Sequence, residues 1–156
     1  MTEEEIISFV DALDGVLTLR PGPGDGSPEI GWGDTFFYHS PDGTVPQATQ
    51  PFATIVTKDY PGDEESRLDR PGAFRVNVAA GRAAFVRWVG CEPREHVSGT
   101  GPVAEDTVVA HPVYGSLGWL AVTNPGPRTA EAVRELLAEA HRLARARHER
   151  RSGASG

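Results

Sequence analysis

Hydrophobic and polar positions alternate along this chain with two periods, and the switches between them lay out its elements. Ile6, Phe9, Val10 and Leu13 recur at i, i+3, i+4 and i+7, the apolar stripe of a helix that Asp14-Gly15 stops. Thr2 and Glu5 stand ahead of it at capping-box spacing, where hydroxyl and carboxylate satisfy the unpaired N–H groups of the first turn. Val16 to Leu19 reads as a short strand. Period two takes over in Thr35 to His39 and Phe52 to Lys58, aromatic and β-branched runs separated by the turn residues Pro41-Asp42-Gly43. They are expected to pair antiparallel. In the cleanest alternation, Phe74, Val76 and Val78 oppose Arg75 and Asn77, giving a strand with one core face and one face for solvent or function.

Helical spacing returns at Phe85, Trp88 and Val89, between Gly81 and Gly90. Leu117 to Thr123 is apolar on both alternate sets, as a central strand covered on both faces would be. Asn124-Pro125-Gly126-Pro127 forces a turn, and Thr129 can cap a long helix whose buried stripe is Val133, Leu136, Leu137, Ala140, Leu143 and Ala144. Two stretches lack a period. Pro21 to Gly33 is an exposed loop; its alternating glycines lead into a strand-like run, whereas a phosphate cradle must open a helix. Cys91 to Asp106 is a long surface loop, ordered or mobile. The elements predict an α+β fold in two layers, a mainly antiparallel sheet with N-terminal and C-terminal helices packed on it. Residues 1–148 are expected to form one domain and 149–156 a flexible basic, Gly/Ser-containing tail.

Composition narrows the classes. A chain of 156 residues, 38% of them hydrophobic, can bury a core of its own. A net charge of -7 provides no global field for nucleic acid or an anionic membrane. One cysteine rules out an intrachain disulfide. The acidic N-terminal residues and the lack of a long apolar run lead to the expectation of a cytoplasmic protein with no membrane partner.

Candidate chemistry is sparse. His39, His96, His111, His141 and His148 show no metal-ligand spacing, and Cys91 with His96 supplies too few ligands for zinc, so neither metal nor cofactor is expected. Cys91, beside Glu92, lacks a neighbouring cation to stabilise a thiolate. The acidic run Asp59 to Glu65 misses the calcium-loop register and is expected to be solvated, pairing with Arg67 or Arg70. The strand pattern brings forward Lys58, Arg75, Asn77, His111, Tyr114 and Trp119: if their strands are neighbours, these side chains converge on a pocket for a small anionic ligand. Otherwise Arg75 is a solvated strand residue, with Tyr114 and Trp119 packing. Arg142, Arg145 and Arg147, with Arg150 and Arg151, are the one basic run that could meet nucleic acid, although such runs at helix ends also suit the helix dipole.

HPVYGSLGWLAVTNPG followed by TAEAVRELLAEAH resembles the closing strand and helix of the MmcQ/YjbR-like proteins, and EEIISFVDALDGV is similar to their first helix. GDTFFYHSPDG, PFATIVTKDYPGDEESRLDRPGAFRVNV and HPVYGSLGWLAVTNPG together resemble, more closely and over nearly the whole chain, a family of short actinobacterial proteins classed as a domain of unknown function, numbered sixty-one ninety-four. The resemblance implies the compact α+β fold those proteins share with bacterial frataxins, and no established activity. For the MmcQ/YjbR group it implies DNA binding, from which the acidic balance departs. A ligand- or partner-binding module without catalysis is therefore expected, the alternatives being a DNA-binding protein of MmcQ/YjbR type and a small enzyme with an anion pocket near Arg75 and His111.

Overall fold

The computed structural model describes residues 1–97 and 103–155. Helix α1 (Glu3–Asp11) starts where the capping box places it: Thr2 Oγ1 accepts the Glu5 N–H and Glu5 Oε1 accepts the Thr2 N–H, each at 3.1 Å. Strands β1 (Val16–Leu19), β2 (Thr35–His39), β3 (Ala53–Val56) and β4 (Arg75–Val78) follow, then α2 (Gly81–Val89), β5 (Val109–Ala110), β6 (Leu120–Thr123) and α3 (Ala130–Ser155). Among the described residues the strands form one six-stranded sheet in the order β1-β2-β3-β4-β6-β5, each neighbouring pair antiparallel, with one parallel bridge from Glu105 to Thr123. The protein is α+β, its first and last helices packed on a mostly antiparallel sheet.

Registry assigns each side chain to a face, because directly opposed residues in a ladder point the same way. Ala53 and Ile55, Val76 and Val78, and Leu120 and Val122 line the helix side. There they meet Ile6 and Val10 of α1, Phe85 of α2, and Val133, Leu136, Leu137 and Ala140 of α3, all buried. The opposite side carries Thr54 and Val56, Arg75 and Asn77, and Ala121 and Thr123. Residues 57–74 cover it, with Leu68 and Ala73 burying Val56 in a small second cluster.

The structure departs from the periodicity in several places. The expected strand Leu117 to Thr123 is shorter: Gly115–Leu117 is a single 3-10 turn, Gly118 leaves it at φ 92°, and extended pairing starts at Leu120. This strand is not central, since β3 and β4 occupy the middle and the two-residue β5 lies outside β6. All four of its residues are buried, Leu120 and Val122 within the main core. Asn124 adopts φ 47°, and its Oδ1 accepts the Phe74 N–H at 3.0 Å, joining the end of β6 to the start of β4. The Thr129 hydroxyl donates to Asp106, whose carboxylate also accepts the N–H groups of Gly126, Arg128 and Thr129 at 2.8–3.1 Å and so orders the turn ahead of α3. Helix α3 continues past His148 to Ser155. Residues 98–102 of the expected loop lie outside the described residues. No described helix is long and apolar enough to cross a membrane.

Candidate functional site

Arg75 sits in the middle of the sheet and is 1% exposed, so the alternative of a solvated strand arginine does not hold. A guanidinium taken out of water needs a counter-charge and acceptors for its N–H groups. Asp63 supplies the charge through a two-pronged contact, Nη1 to Oδ1 at 2.9 Å and Nη2 to Oδ2 at 2.6 Å. Nη1 also donates to Ser66 Oγ at 2.9 Å, and Nε donates to Asn77 Oδ1 at 2.7 Å. Asn77 in turn donates to Thr54 Oγ1 at 3.0 Å, so the strand pair β3–β4 fixes the guanidinium plane.

The acidic run is thus not simply solvated. Asp59 Oδ1 accepts the Leu68 N–H at 2.8 Å and Asp69 Oδ1 accepts the Asp59 N–H at 3.1 Å, lacing the segment into a closed cover that brings Asp63 over the sheet. Arg70, an expected partner of the run, reaches Glu105 at 2.9 Å. Burial pushes the Asp63 carboxyl up, but the hydrogen bonds and charge of Arg75 outweigh it and hold the group below the usual carboxylate range.

His111 completes the centre and is 3% exposed. Its Nδ1 accepts two backbone N–H groups, from Val113 and Tyr114, each at 3.0 Å. Backbone N–H groups can only donate, so Nδ1 carries the lone pair and the neutral ring carries its proton on Nε2. Burial, and then the positive charge of Arg75, push the imidazole down to about 3, against a smaller opposing pull from Asp63. Nε2 lies 3.3 Å from Arg75 Nη2. Of the five guanidinium N–H groups, four have acceptors in Asp63 (two), Ser66 and Asn77. The fifth, on Nη2, lies against the imidazole Nε2. Opposite Arg75 in the ladder, the Thr123 hydroxyl is buried without a partner.

Tyr114 stands beside this centre with its ring 4.9 Å from the His111 ring, and it is 51% exposed. Trp119 lies edge-on to His111 at 6.4 Å, and its carbonyl accepts the His111 N–H at 2.9 Å. Arg75, Asn77, His111, Tyr114 and Trp119 therefore come together as the strand pattern suggests. Lys58 does not join them. It donates to the Trp32 carbonyl at 2.8 Å and pairs at 3.1 Å with Asp34, whose buried carboxylate also accepts the N–H and O–H of Thr57 and the Tyr60 hydroxyl. Burial, followed by the hydrogen bond and charge of Asp34, pushes that tyrosine well above its ordinary pKa.

Asp63, Ser66 and Thr123 are the participants that sequence reasoning missed. A usable signal exists for Asp63: an arginine flanked by apolar residues in a strand needs an acid, and the preceding loop is rich in them.

The remaining candidates lie elsewhere. The His39 ring contacts those of His141 and His148 at 5.6 and 5.1 Å. Among the described residues, no group of three or more His, Cys, Asp or Glu side chains could hold a metal ion. Cys91 is half-buried against the core.

The family model described as "Family of unknown function (DUF6194)" matches residues 1–153. The chain belongs to this family. No curated protein and no solved structure matches it. For this DUF6194 chain, chemistry must therefore come from the site itself, where a neutral imidazole lies against a charge-compensated guanidinium.

Proposed function

We propose that this DUF6194 protein is a binding module that holds a small ligand beside Arg75 and His111. The convergence of Arg75, Asn77, His111, Tyr114 and Trp119, with Tyr114 51% exposed beside the buried imidazole, supports this most directly. A reaction would need a free base or nucleophile as well. The nearest groups of that kind, Asp63 and Ser66, already accept from Arg75, so binding without catalysis is the better reading. A thermal-shift screen against small oxygenated metabolites tests it, since a ligand that binds only the folded state raises the melting temperature. Hits should lose their effect in His111→Gln; a screen whose hits are indifferent to His111 contradicts the proposal.

Kinship with the MmcQ/YjbR-like proteins belongs to the same proposal, supported by the closing strand, turn and helix. The DNA binding it implies finds less support, because Arg142 is engaged by Glu139 and Arg145 by Glu149.

A further inference from the structure

The two edges of the sheet are protected unequally. β5 closes one edge with only two residues, whereas β1 lays four, Val16-Leu17-Thr18-Leu19, along the other. Edge strands are usually blunted by brevity, a bulge, a proline or a charged side chain, because a row of unpaired N–H and C=O groups invites another strand. β1 has no bulge, charge or proline: its register with β2 is one-to-one and its residues are apolar apart from Thr18. The Gly15 carbonyl accepts the Ser40 N–H at 2.8 Å, which sets the alternation of the ladder. Leu17 and Leu19 then direct their backbone groups toward β2, and Val16 and Thr18 direct theirs outward, where no described residue takes them. All four residues are only half-buried, in contrast to the fully buried β4 and β6.

We propose that β1 is a self-association edge, through which two copies of the chain pair antiparallel about a two-fold axis at Leu17 and continue one sheet into the other. In this register Val16 of each copy lies opposite Thr18 of the other, so the outward backbone groups of both residues are taken within the strand itself. Charge fits the same register. Gly15 stands opposite Leu19 of the second copy, and one step further Asp14 approaches Arg20, once at each end of the shared ladder. Both side chains lie toward the helices, since Arg20 reaches Glu4 of α1 at 2.7 Å and Asp14 lies 4.0 Å from Arg145 of α3. Both are open to a second copy, Asp14 being 79% and Arg20 55% exposed. Like charges at these positions would repel, whereas this chain sets opposite ones. The surface is separate from His111, which follows β5 at the other edge of the sheet.

The test is sedimentation equilibrium of the full chain from about 10 µM to about 1 mM, the range suited to a small, weak interface. The mass should rise from 16.7 kDa toward twice that value. Thr18→Pro removes an outward N–H and none that β2 uses, so the variant should keep its far-UV circular dichroism and remain a single chain. Asp14→Arg should weaken the dimer by about tenfold through repulsion of Arg20, and combining it with Arg20→Asp should restore association. If Thr18→Pro does not fold, the charge series decides, because both of its positions are exposed. A wild-type chain that stays at 16.7 kDa up to about 1 mM overturns the proposal and leaves the edge to a strand of another protein. A dimer that Thr18→Pro retains, or that ignores the charge reversal, forms through another surface and overturns it as well.

Discussion

On the helix side of the sheet, Val76 and Val78 of β4 meet Ile55, Leu120 and Val122 from neighbouring strands and Leu136 and Leu137 from α3. On the loop side the same four-residue strand presents Arg75 and Asn77 to Asp63, Ser66 and His111. Both sides are buried, but the physics differs. Apolar contact is non-directional and scales with area, so the helix side tolerates exchange of one aliphatic group for another of similar volume. The polar side depends on matching each donor with an acceptor, and a single mismatch is costly. For that reason the polar side can reveal a mismatch: the Thr123 hydroxyl, buried without a partner, has meaning only where donors and acceptors can be counted.

The largest expected effect comes from breaking the polar side. Arg75→Ala leaves Asp63 and Asn77 without their partner and should lower unfolding stability by about 3–5 kcal/mol in urea titrations. A loss below about 0.5 kcal/mol would mean that this side behaves as ordinary surface. On the helix side, Leu137→Ala should cost about 2–5 kcal/mol through lost burial and a residual cavity. The two changes separate with pH. Arg75→Ala should flatten the acid dependence described next, whereas Leu137→Ala should leave it unchanged.

That acid dependence follows from His111. Its folded value of about 3 lies below its ordinary 6.5, so the folded protein binds fewer protons than the unfolded chain between those limits. The contribution is complete above pH 6.5 and is lost as pH falls toward 3. Asp63, also lowered, acts in the same direction at more acid pH. Stability should fall by up to about 1.4 kcal/mol per pH unit from this one group, and His111→Gln should remove that part of the slope. Parallel pH profiles for wild type and variant would contradict the buried neutral imidazole. The smallest effect is expected at Thr123, whose hydroxyl is buried without a partner. Thr123→Val should be neutral or stabilising by up to about 1 kcal/mol; a loss of about 1–3 kcal/mol would show that the hydroxyl is satisfied in solution.

Much of the helix side was legible in the sequence because its rules are local. Thr2 and Glu5 specify the start of α1 within one turn, and the stripe Val133, Leu136, Leu137 and Ala140 specifies which side of α3 is buried. The polar side was legible only in part. Alternation in β4 places Arg75 and Asn77 on one face, and the HPVY entry to the final strand brings His111 beside them. Asp63 was misread because nothing within its own run distinguishes a carboxylate that folds back onto a strand from one that faces water. Lys58 was assigned to the wrong cluster because it lies beyond the paired end of β3, where the chain turns toward Asp34. β5, two residues long, is too short to show a period.

The tautomer of His111 is the most direct test of the site. In a long-range 1H–15N correlation spectrum at neutral pH, its Nδ1 should resonate as an unprotonated imidazole nitrogen accepting hydrogen bonds, and its Nε2 as a protonated one. A proton on Nδ1, or a doubly protonated ring, would contradict an Nδ1 that accepts the Val113 and Tyr114 N–H groups and the neutral imidazole on which the site is built.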